Sequence, residues 1–90
     1  MIKFDWDPQK ELINIEKHGI DFRTALRVFD DPDRCVIEDL KHAEFEDRYL
    51  CIGNVDGRIL TVRFVYRKDM IRIIGAGSWR RGRKLYEEKK

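Results

Sequence analysis

The segment Leu60-Thr61-Val62-Arg63-Phe64-Val65-Tyr66, followed by Arg67-Lys68-Asp69 and Met70-Ile71-Arg72-Ile73-Ile74, decides the fold of this 90-residue chain. β-branched and aromatic residues fill both arms, and the polar residues between them are typical of a turn, so the segment predicts a β-hairpin. Gly75-Ala76-Gly77 follows, and then the basic segment Ser78-Trp79-Arg80-Arg81-Gly82-Arg83. An arginine on a sheet face costs solvation unless it stays in water or meets an anion. We therefore expect a small sheet that presents positive charge.

Outward from the hairpin, capping and turn residues divide the chain into further elements. Asp7-Pro8 and Asp21 are helix starts, and Gly19 is suited to a left-handed helix end. The predicted elements are a strand at 2–6, helices at 7–18 and 21–30, a strand at 34–38, a polar connection at 39–44 that contains His42, a strand at 47–53, a turn at 54–57, and a final helix at 79–88. Gly82 is expected to weaken that last helix. The order predicts an α+β fold with a small, mostly antiparallel sheet, two N-terminal helices and a C-terminal helix.

Length and composition indicate one domain, residues 1–90, with a small core. The longest apolar runs are too short for a transmembrane segment, and the N-terminus does not resemble a signal peptide. Cys35 and Cys51 are too few for a disulfide framework and lack the spacing of a zinc site, so both are expected to be small core residues. We accordingly predict a cytoplasmic protein without a metal, a cofactor or a membrane association.

Charge is distributed unevenly along the chain. Residues 1–62 contain 9 Lys/Arg and 14 Asp/Glu, a balance of −5, whereas residues 63–90 contain 10 Lys/Arg and 3 Asp/Glu, a balance of +7. Such asymmetry indicates a polyanion or an acidic partner at the basic end. The alternative interpretation is a solvated surface that is merely lopsided.

Strand alternation predicts that arginines share one face of the sheet. If the 54–57 turn pairs Gly53 with Arg58, then Arg48 lies opposite Arg63; Arg72 would lie opposite Val65. The arginines expected on this outer face are Arg48, Arg63, Arg67 and Arg72, and the residues expected to face the helices are Tyr49, Cys51, Leu60, Val62, Phe64 and Ile73. Like charges across strands destabilise a sheet, so Glu46 or a bound phosphate chain would have to offset them.

The sequence resembles a known family at several positions. The matching residues are Phe4-Asp5-Trp6-Asp7-Pro8, Lys10, Asn14, Lys17-His18-Gly19, Phe22, Ala25, Val28-Phe29, Asp31-Pro32, Glu46, Arg48, Ile52-Gly53, Arg67, Arg72-Ile73-Ile74 and Tyr86-Glu87-Glu88. This pattern is similar to that of the BrnT toxins of type II toxin-antitoxin systems. The resemblance covers nearly the whole chain, although BrnT-like chains usually carry Ser-Ala-Arg where this one has Gly75-Ala76-Gly77.

The resemblance implies a fold like that of the RelE and ParE toxins and a ribonuclease activity that arrests translation. It further implies a BrnA-like, ribbon-helix-helix antitoxin as the partner. The two proteins would form a heterotetramer that represses its own promoter, so operator DNA is contacted only through the antitoxin. The Gly75-Ala76-Gly77 departure removes an arginine often associated with the active face, which puts catalysis rather than the fold in question.

Metal-independent RNA cleavage needs proton transfer and cations that stabilise the charged phosphate. His18 is the candidate for proton transfer and Lys17 is the candidate for phosphate binding, although both also suit the end of a helix dipole. Arg67 and Arg72 are predicted as catalytic phosphate clamps. RNA-binding residues are predicted at Arg48, Arg63, Arg80 and Arg81, and Trp79 and Tyr86 are either base-stacking or core residues. Tyr66 is expected in the core.

Three functions remain open from the sequence. The chain is a ribonuclease toxin neutralised by a protein partner, a non-catalytic nucleic-acid-binding domain, or a protein-docking module whose basic end contacts only its partner.

Overall fold

The computed structural model of the protein describes residues 2–42 and 46–89. Within these ranges the chain forms five strands, three α-helices and two short 3₁₀ segments. In chain order they are β1 Lys3–Trp6, α1 Pro8–His18, α2 Phe22–Ala25, a 3₁₀ segment Leu26–Asp30, β2 Cys35–Glu38, a 3₁₀ segment Leu40–His42, β3 Tyr49–Val55, β4 Arg58–Arg67, β5 Met70–Gly77 and α3 Arg80–Glu88. The predicted 39–44 connection lies partly outside the described residues.

The five strands form one sheet in the order β1-β5-β4-β3-β2. β2, β3, β4 and β5 pair antiparallel in succession, whereas β1 lies parallel to β5, with Asp5 opposite Arg72. The α+β class is confirmed, but the sheet is mixed rather than mostly antiparallel. The reason is the placement of the N-terminal strand, which joins the β5 edge of the hairpin and runs in the same direction as β5.

The first helix has the predicted capping residues. The Asp7 side chain accepts a hydrogen bond of 2.9 Å from the Gln9 N–H, and Pro8 opens the helix. Gly19 ends it at φ 70°, in the left-handed region that favours glycine, and its N–H donates to the Ile15 carbonyl.

The second helix is shorter than predicted. Asp21 caps it as expected, accepting hydrogen bonds from both the N–H and the hydroxyl of Thr24. The α-helix nevertheless ends at Ala25, and the chain continues as a 3₁₀ segment. This tighter segment lies directly on β3, since a Cβ added at Gly53 would come within 2.8 Å of the Val28 carbonyl oxygen. Sequence periodicity does not distinguish this tightened winding from an α-helix.

The β3–β4 register differs from the prediction by two residues. Asp56 and Gly57 both have positive φ, at 53° and 91°, so they form a two-residue turn and Val55 pairs with Arg58. Arg63 therefore lies opposite Leu50 rather than opposite Arg48. Because the shift is two residues, the assignment of side chains to the two faces is unchanged.

The β4–β5 hairpin turns where predicted, with Arg67 opposite Met70 and Val65 opposite Arg72. A bulge interrupts the pairing further along: Phe64 lies opposite Ile73, whereas its neighbour Arg63 lies opposite Gly75. β5 consequently continues through Gly77 and is longer than the predicted 70–74 segment.

The sheet face that was predicted to be apolar packs against the N-terminal helices. Its buried residues include Cys51, Leu60, Val62, Phe64 and Ile73, which confirms those assignments. Tyr49 is partly buried beside them, and Phe22, Ala25 and Val28 contribute from the helical side. Tyr66, in contrast, is 55% exposed, because it lies at the end of β4 beyond the helices; its assignment to the core was wrong.

α3 packs on the opposite face of the sheet, the outer face on which the arginines were predicted. Tyr86 is buried there with Cys35 and Ile52, so of its two predicted roles the core one holds. Gly82 is the point of closest approach, because an added Cβ would overlap the hydroxyl of Thr61 on β4. This glycine is thus a packing requirement rather than only a weak point in the helix. The outer face is left uncovered only beside and beyond α3.

Candidate functional site

Two basic residues end α1, next to the strand β5. Lys17 and His18 are both exposed and lie in the last turn, where cations complement the helix dipole. The backbone leaves the helix at Gly19 without a side chain in the way.

The position of this helix end is set by a buried amide. Asn14 donates a hydrogen bond of 2.9 Å from Nδ2 to the Ile20 carbonyl and accepts one of 3.0 Å from the Ala76 N–H through Oδ1. It is buried, and so is the backbone N–H that it satisfies. Because buried polar groups are costly without partners, this pair fixes α1 against β5.

Trp79 connects His18 to the sheet. It precedes α3 in extended conformation and its carbonyl accepts the Arg83 N–H. Its indole lies over Gly77, where an added Cβ would come within 2.5 Å of the ring. The His18 and Trp79 ring centroids are 5.3 Å apart in an edge-to-face arrangement, and the indole is still 37% exposed.

Arg63 also lies close to the indole. Its guanidinium carbon is 6.0 Å from the Trp79 ring centroid, at the outer limit of a cation–π contact. The group extends over Gly75, where an added Cβ would come within 3.0 Å of Nη2. Its Nε is buried and makes no hydrogen bond to any residue that the structure describes. A buried donor without a partner is costly, so this arginine carries an unsatisfied hydrogen-bonding group.

These side chains border a cavity of about 380 Å³ between the sheet, α3 and the Leu40–His42 segment. The floor is apolar, with Leu50, Ile52 and Leu85. The charged residues of the lining are Asp39, Lys41, Arg63 and Arg81, so three cations face one carboxylate. The Asp39 N–H donates to the Arg48 carbonyl, which holds the segment against the start of β3.

Arg67 and Arg72 share the outer face with Arg63 but are each paired with a carboxylate. Arg67 donates to Glu46 through two nitrogens, at 3.1 and 2.9 Å, and Arg72 donates to Asp5 at 2.9 Å. The Arg67 hydrogen bond lowers the pKa of Glu46, and Glu46 in turn raises the pKa of Arg67. Their side chains remain 54% and 32% exposed. The predicted convergence of four free guanidinium groups is therefore not found.

The other predicted cations have different surroundings. Arg80 and Arg81 are exposed in the first turn of α3, where positive charge is unfavourable to the helix dipole and no side chain caps the helix. Arg48 precedes β3, partly exposed, close enough to Glu46 to lower its pKa further. Within residues 2–42 and 46–89, none of Arg48, Arg63, Arg80 and Arg81 forms an ion pair.

The structure thus brings together His18, Arg63 and Arg81 around Trp79 and places Arg67 and Arg72 apart from them. Lys41 was not among the predicted site residues, whereas Trp79 was predicted as either a base-stacking or a core residue. The sequence contains one signal for Trp79. The glycines Gly75 and Gly77 precede it closely, and residues without a side chain leave space for a large ring. The sequence contains no signal for Lys41, because its place at the cavity depends on how the Leu40–His42 segment crosses the sheet.

The fold and site define a small α+β protein with a basic, aromatic-walled cavity, a combination that suits a single nucleic-acid strand. A family model described as "Ribonuclease toxin, BrnT, of type II toxin-antitoxin system" matches residues 6–82. The chain belongs to this family of ribonuclease toxins, as the resemblance predicted. A search among curated proteins finds no significant match. No helix within the described residues is long and apolar enough to cross a membrane.

Proposed function

We propose that this protein is a metal-independent endoribonuclease that arrests translation, with His18 at its catalytic centre. The observation that supports this most strongly is the contact between the His18 and Trp79 rings at the edge of a cavity that Arg63 and Arg81 make basic. A proton-transfer group, an aromatic surface and cations then meet at one exposed place. No other described part of the chain combines all three.

The proposed reaction is a transfer within the RNA chain. The 2′-oxygen attacks the adjacent phosphorus, the bond to the 5′-oxygen breaks, and a 2′,3′-cyclic phosphate and a 5′-hydroxyl are formed. The 2′-hydroxyl loses one proton and the leaving oxygen gains one. His18 is proposed to carry one of these two protons, since its imidazole is exposed and contacts the ring of Trp79, which borders the cavity.

Cations stabilise the negative charge that builds up on the phosphorane. Arg63 is the best placed of the sheet arginines, because its Nε lacks an internal acceptor. Lys17 adjoins His18 and is proposed to bind a neighbouring phosphate. Arg67 and Arg72 also stay proposed phosphate ligands, but each must share its guanidinium with Glu46 or Asp5. Their proposed role is therefore to hold the flanking RNA, together with Arg48 and Arg80.

The antitoxin is proposed to be a BrnA-like, ribbon-helix-helix protein that covers the basic end of the toxin. Support comes from α3, which exposes Arg80, Arg81, Arg83 and Lys84 and has no acidic residue in its first turn. An acidic partner segment would neutralise this helix and exclude RNA from the cavity beside it. We further propose a RelE/ParE-like fold, a cytoplasmic location, and a heterotetramer with the antitoxin that binds operator DNA only through the antitoxin.

The test is inducible expression in a bacterium with growth, total RNA and translation measured together. The wild-type chain is compared with His18→Ala and with Gln9→Ala, an exposed change on the same helix and distant from its last turn. The proposed ribonuclease activity predicts growth arrest together with RNA fragments that end in a cyclic phosphate. Both should be lost in His18→Ala and kept in Gln9→Ala. The expected loss in cleavage rate is about 10²–10⁴-fold.

Two other results would each replace the proposal. Arrest without RNA fragmentation would identify a different target. RNA binding that weakens with salt, with neither arrest nor cleavage, would identify a non-catalytic binding domain. That second function has one observation in its favour, namely that Arg67 and Arg72 are already paired.

A further inference from the structure

We infer that the cavity between β4 and α3 is a binding site for one nucleotide, in which Trp79 stacks on the base and Arg63 binds the phosphate. This inference deepens the proposed function, since it names the part of the RNA that the site grips.

Two glycines lie beneath these two side chains. A Cβ at Gly75 would crowd the Arg63 guanidinium, and one at Gly77 would overlap the Trp79 indole. Both side chains therefore lie flat against the backbone of β5, and their positions depend on those glycines. Flat, supported groups lose little conformational freedom when a ligand binds.

Arg63 has unsatisfied hydrogen-bonding capacity. Its Nε is buried without a partner among the described residues, and the guanidinium makes no ion pair within them. A guanidinium presents its donors as a planar fork that matches two phosphate oxygens. The guanidinium of Arg67 has such a partner, since the Glu46 carboxylate accepts hydrogen bonds from two of its nitrogens. Arg63 has no such carboxylate partner among the described residues, so the terminal nitrogens of its guanidinium are the donors proposed to bind the phosphate.

The cavity has a polar part and an apolar part. Leu50, Ile52 and Leu85 form an apolar floor, and the exposed indole edge rises beside it. Arg63 and Arg81 provide the positive charge. A volume of about 380 Å³ lies within the range of small-ligand sites and has room for a single nucleotide. Asp39 also borders the cavity. Its carboxylate would repel the phosphate, and it would accept a hydrogen bond from an N–H group of the base.

The bulge in the sheet explains why the two groups meet. Without it, the residue opposite Arg63 would not be Gly75, because Phe64 pairs with Ile73. The extra residue in β5 places a glycine under the arginine and the next glycine in the same direction under the tryptophan.

The test measures binding of a non-cleavable probe to the full-length chain. The probe is a DNA trinucleotide, which lacks the 2′-hydroxyl and so separates binding from cleavage. Affinity is measured by titration calorimetry, and exposure of the indole by acrylamide quenching. Arg63→Ala is compared with Arg58→Ala, an exposed arginine on the same strand that does not border the cavity. Trp79→Ala is compared with Trp79→Phe, which keeps an aromatic face.

We expect Arg63→Ala to weaken binding by about 10-fold or more and Arg58→Ala to change it little. Trp79→Ala should weaken binding by about 10-fold, with most of the affinity kept in Trp79→Phe. The probe should protect the indole from quenching in the wild type. Arg63→Lys, which keeps the charge and loses the fork, should fall between the two arginine variants and serves if Arg63→Ala does not fold.

Equal weakening by Arg58→Ala and Arg63→Ala would overturn the inference, because general positive charge would then account for binding. So would a probe that leaves Trp79 fully quenchable. RNA cleavage that survives in Arg63→Lys and Trp79→Ala with unchanged KM would sink this inference and leave the proposed function standing. Probe binding with the expected variant effects, but no cleavage of RNA, would support this inference and overturn the proposed function.

Discussion

The amide of Asn14 on α1 accepts a hydrogen bond from the backbone N–H of Ala76 on β5, across a separation of 62 residues. The same side chain donates to the carbonyl of Ile20, just past the end of the helix. One buried group thus ties the helix that carries His18 to the strand that ends beneath Trp79. The distance between the His18 and Trp79 rings depends on this hydrogen-bonded connection.

Replacing Asn14 by Ala should lower the free energy of unfolding by about 2–3 kcal/mol, because the Ala76 N–H and the Ile20 carbonyl lose their partner in the interior. RNA cleavage should fall as well, even in the folded fraction. Urea unfolding and single-turnover cleavage measure the two effects. Gln9→Ala on the same helix is the control, and a loss of stability without any loss of cleavage would show that Asn14 does not position His18.

Gly82→Ala should destabilise the protein, although alanine is the better helix former by about 1 kcal/mol. The new Cβ would overlap the Thr61 hydroxyl and push α3 off the sheet, at a cost of about 1–3 kcal/mol. Thr61→Ala removes the obstructing oxygen, which has no hydrogen-bond partner among the described residues. The double variant should therefore recover most of the loss in a thermodynamic cycle. Additive losses in the cycle would contradict this packing account.

Tyr86→Phe should remove a pH dependence at alkaline pH. The Tyr86 hydroxyl donates to Asp31, and this hydrogen bond, followed by burial, raises the pKa of the phenol from 10 to about 12. The raised pKa means that the contribution to stability is complete below pH 10 and is lost as the pH rises toward 12. The variant should be less stable by about 1–3 kcal/mol at pH 8 and nearer to the wild type at pH 11.

Urea unfolding at several pH values tests the Tyr86 prediction. Tyr66→Phe is the matched control, because Tyr66 is an exposed tyrosine on the sheet. A difference between wild type and Tyr86→Phe that stays constant from pH 8 to pH 11 would be inconsistent with the raised pKa.

Glu46→Gln should strengthen RNA binding by about two- to fivefold at low salt, because it releases Arg67 from a competing carboxylate. The salt dependence of binding should steepen at the same time. Asp56→Asn is the matched control, since it removes one negative charge from the exposed pair with Arg27 on the β3–β4 turn. The two variants are compared by fluorescence anisotropy with a labelled oligonucleotide in a His18→Ala background. An equal gain in both would mean that net charge alone is responsible.

Local chemistry made much of the fold predictable. Asp7, Pro8 and Gly19 bound α1 because capping and left-handed geometry depend on the residues at those positions. The alternation of residues along β4 correctly predicted that Val62 and Phe64 lie in the core, because this pattern is also local in the sequence. Family membership also followed from the sequence, because the matched residues extend over most of the chain.

The partners of the charged residues were not predictable. Arg67 and Arg72 look equivalent to Arg63 in the sequence, yet Glu46 and Asp5 lie beside the first two and Gly75 lies beside the third. Strand register decides this, and the register depends on the Asp56-Gly57 turn and on the bulge after Arg63. A pattern of alternating residues fixes a face of a strand but not the neighbour across it.

The sequence by itself determined α1, α3, most of the strands, the apolar face and the basic C-terminal end, because each depends on residues a few positions apart. The tertiary structure alone decided that β1 joins β5 in parallel, that α3 packs on Thr61 through Gly82, and that Trp79 lies between His18 and Arg63. These relationships join residues far apart in the chain. They depend on steric fit and on the pairing of buried polar groups, which exist only once the sheet has formed.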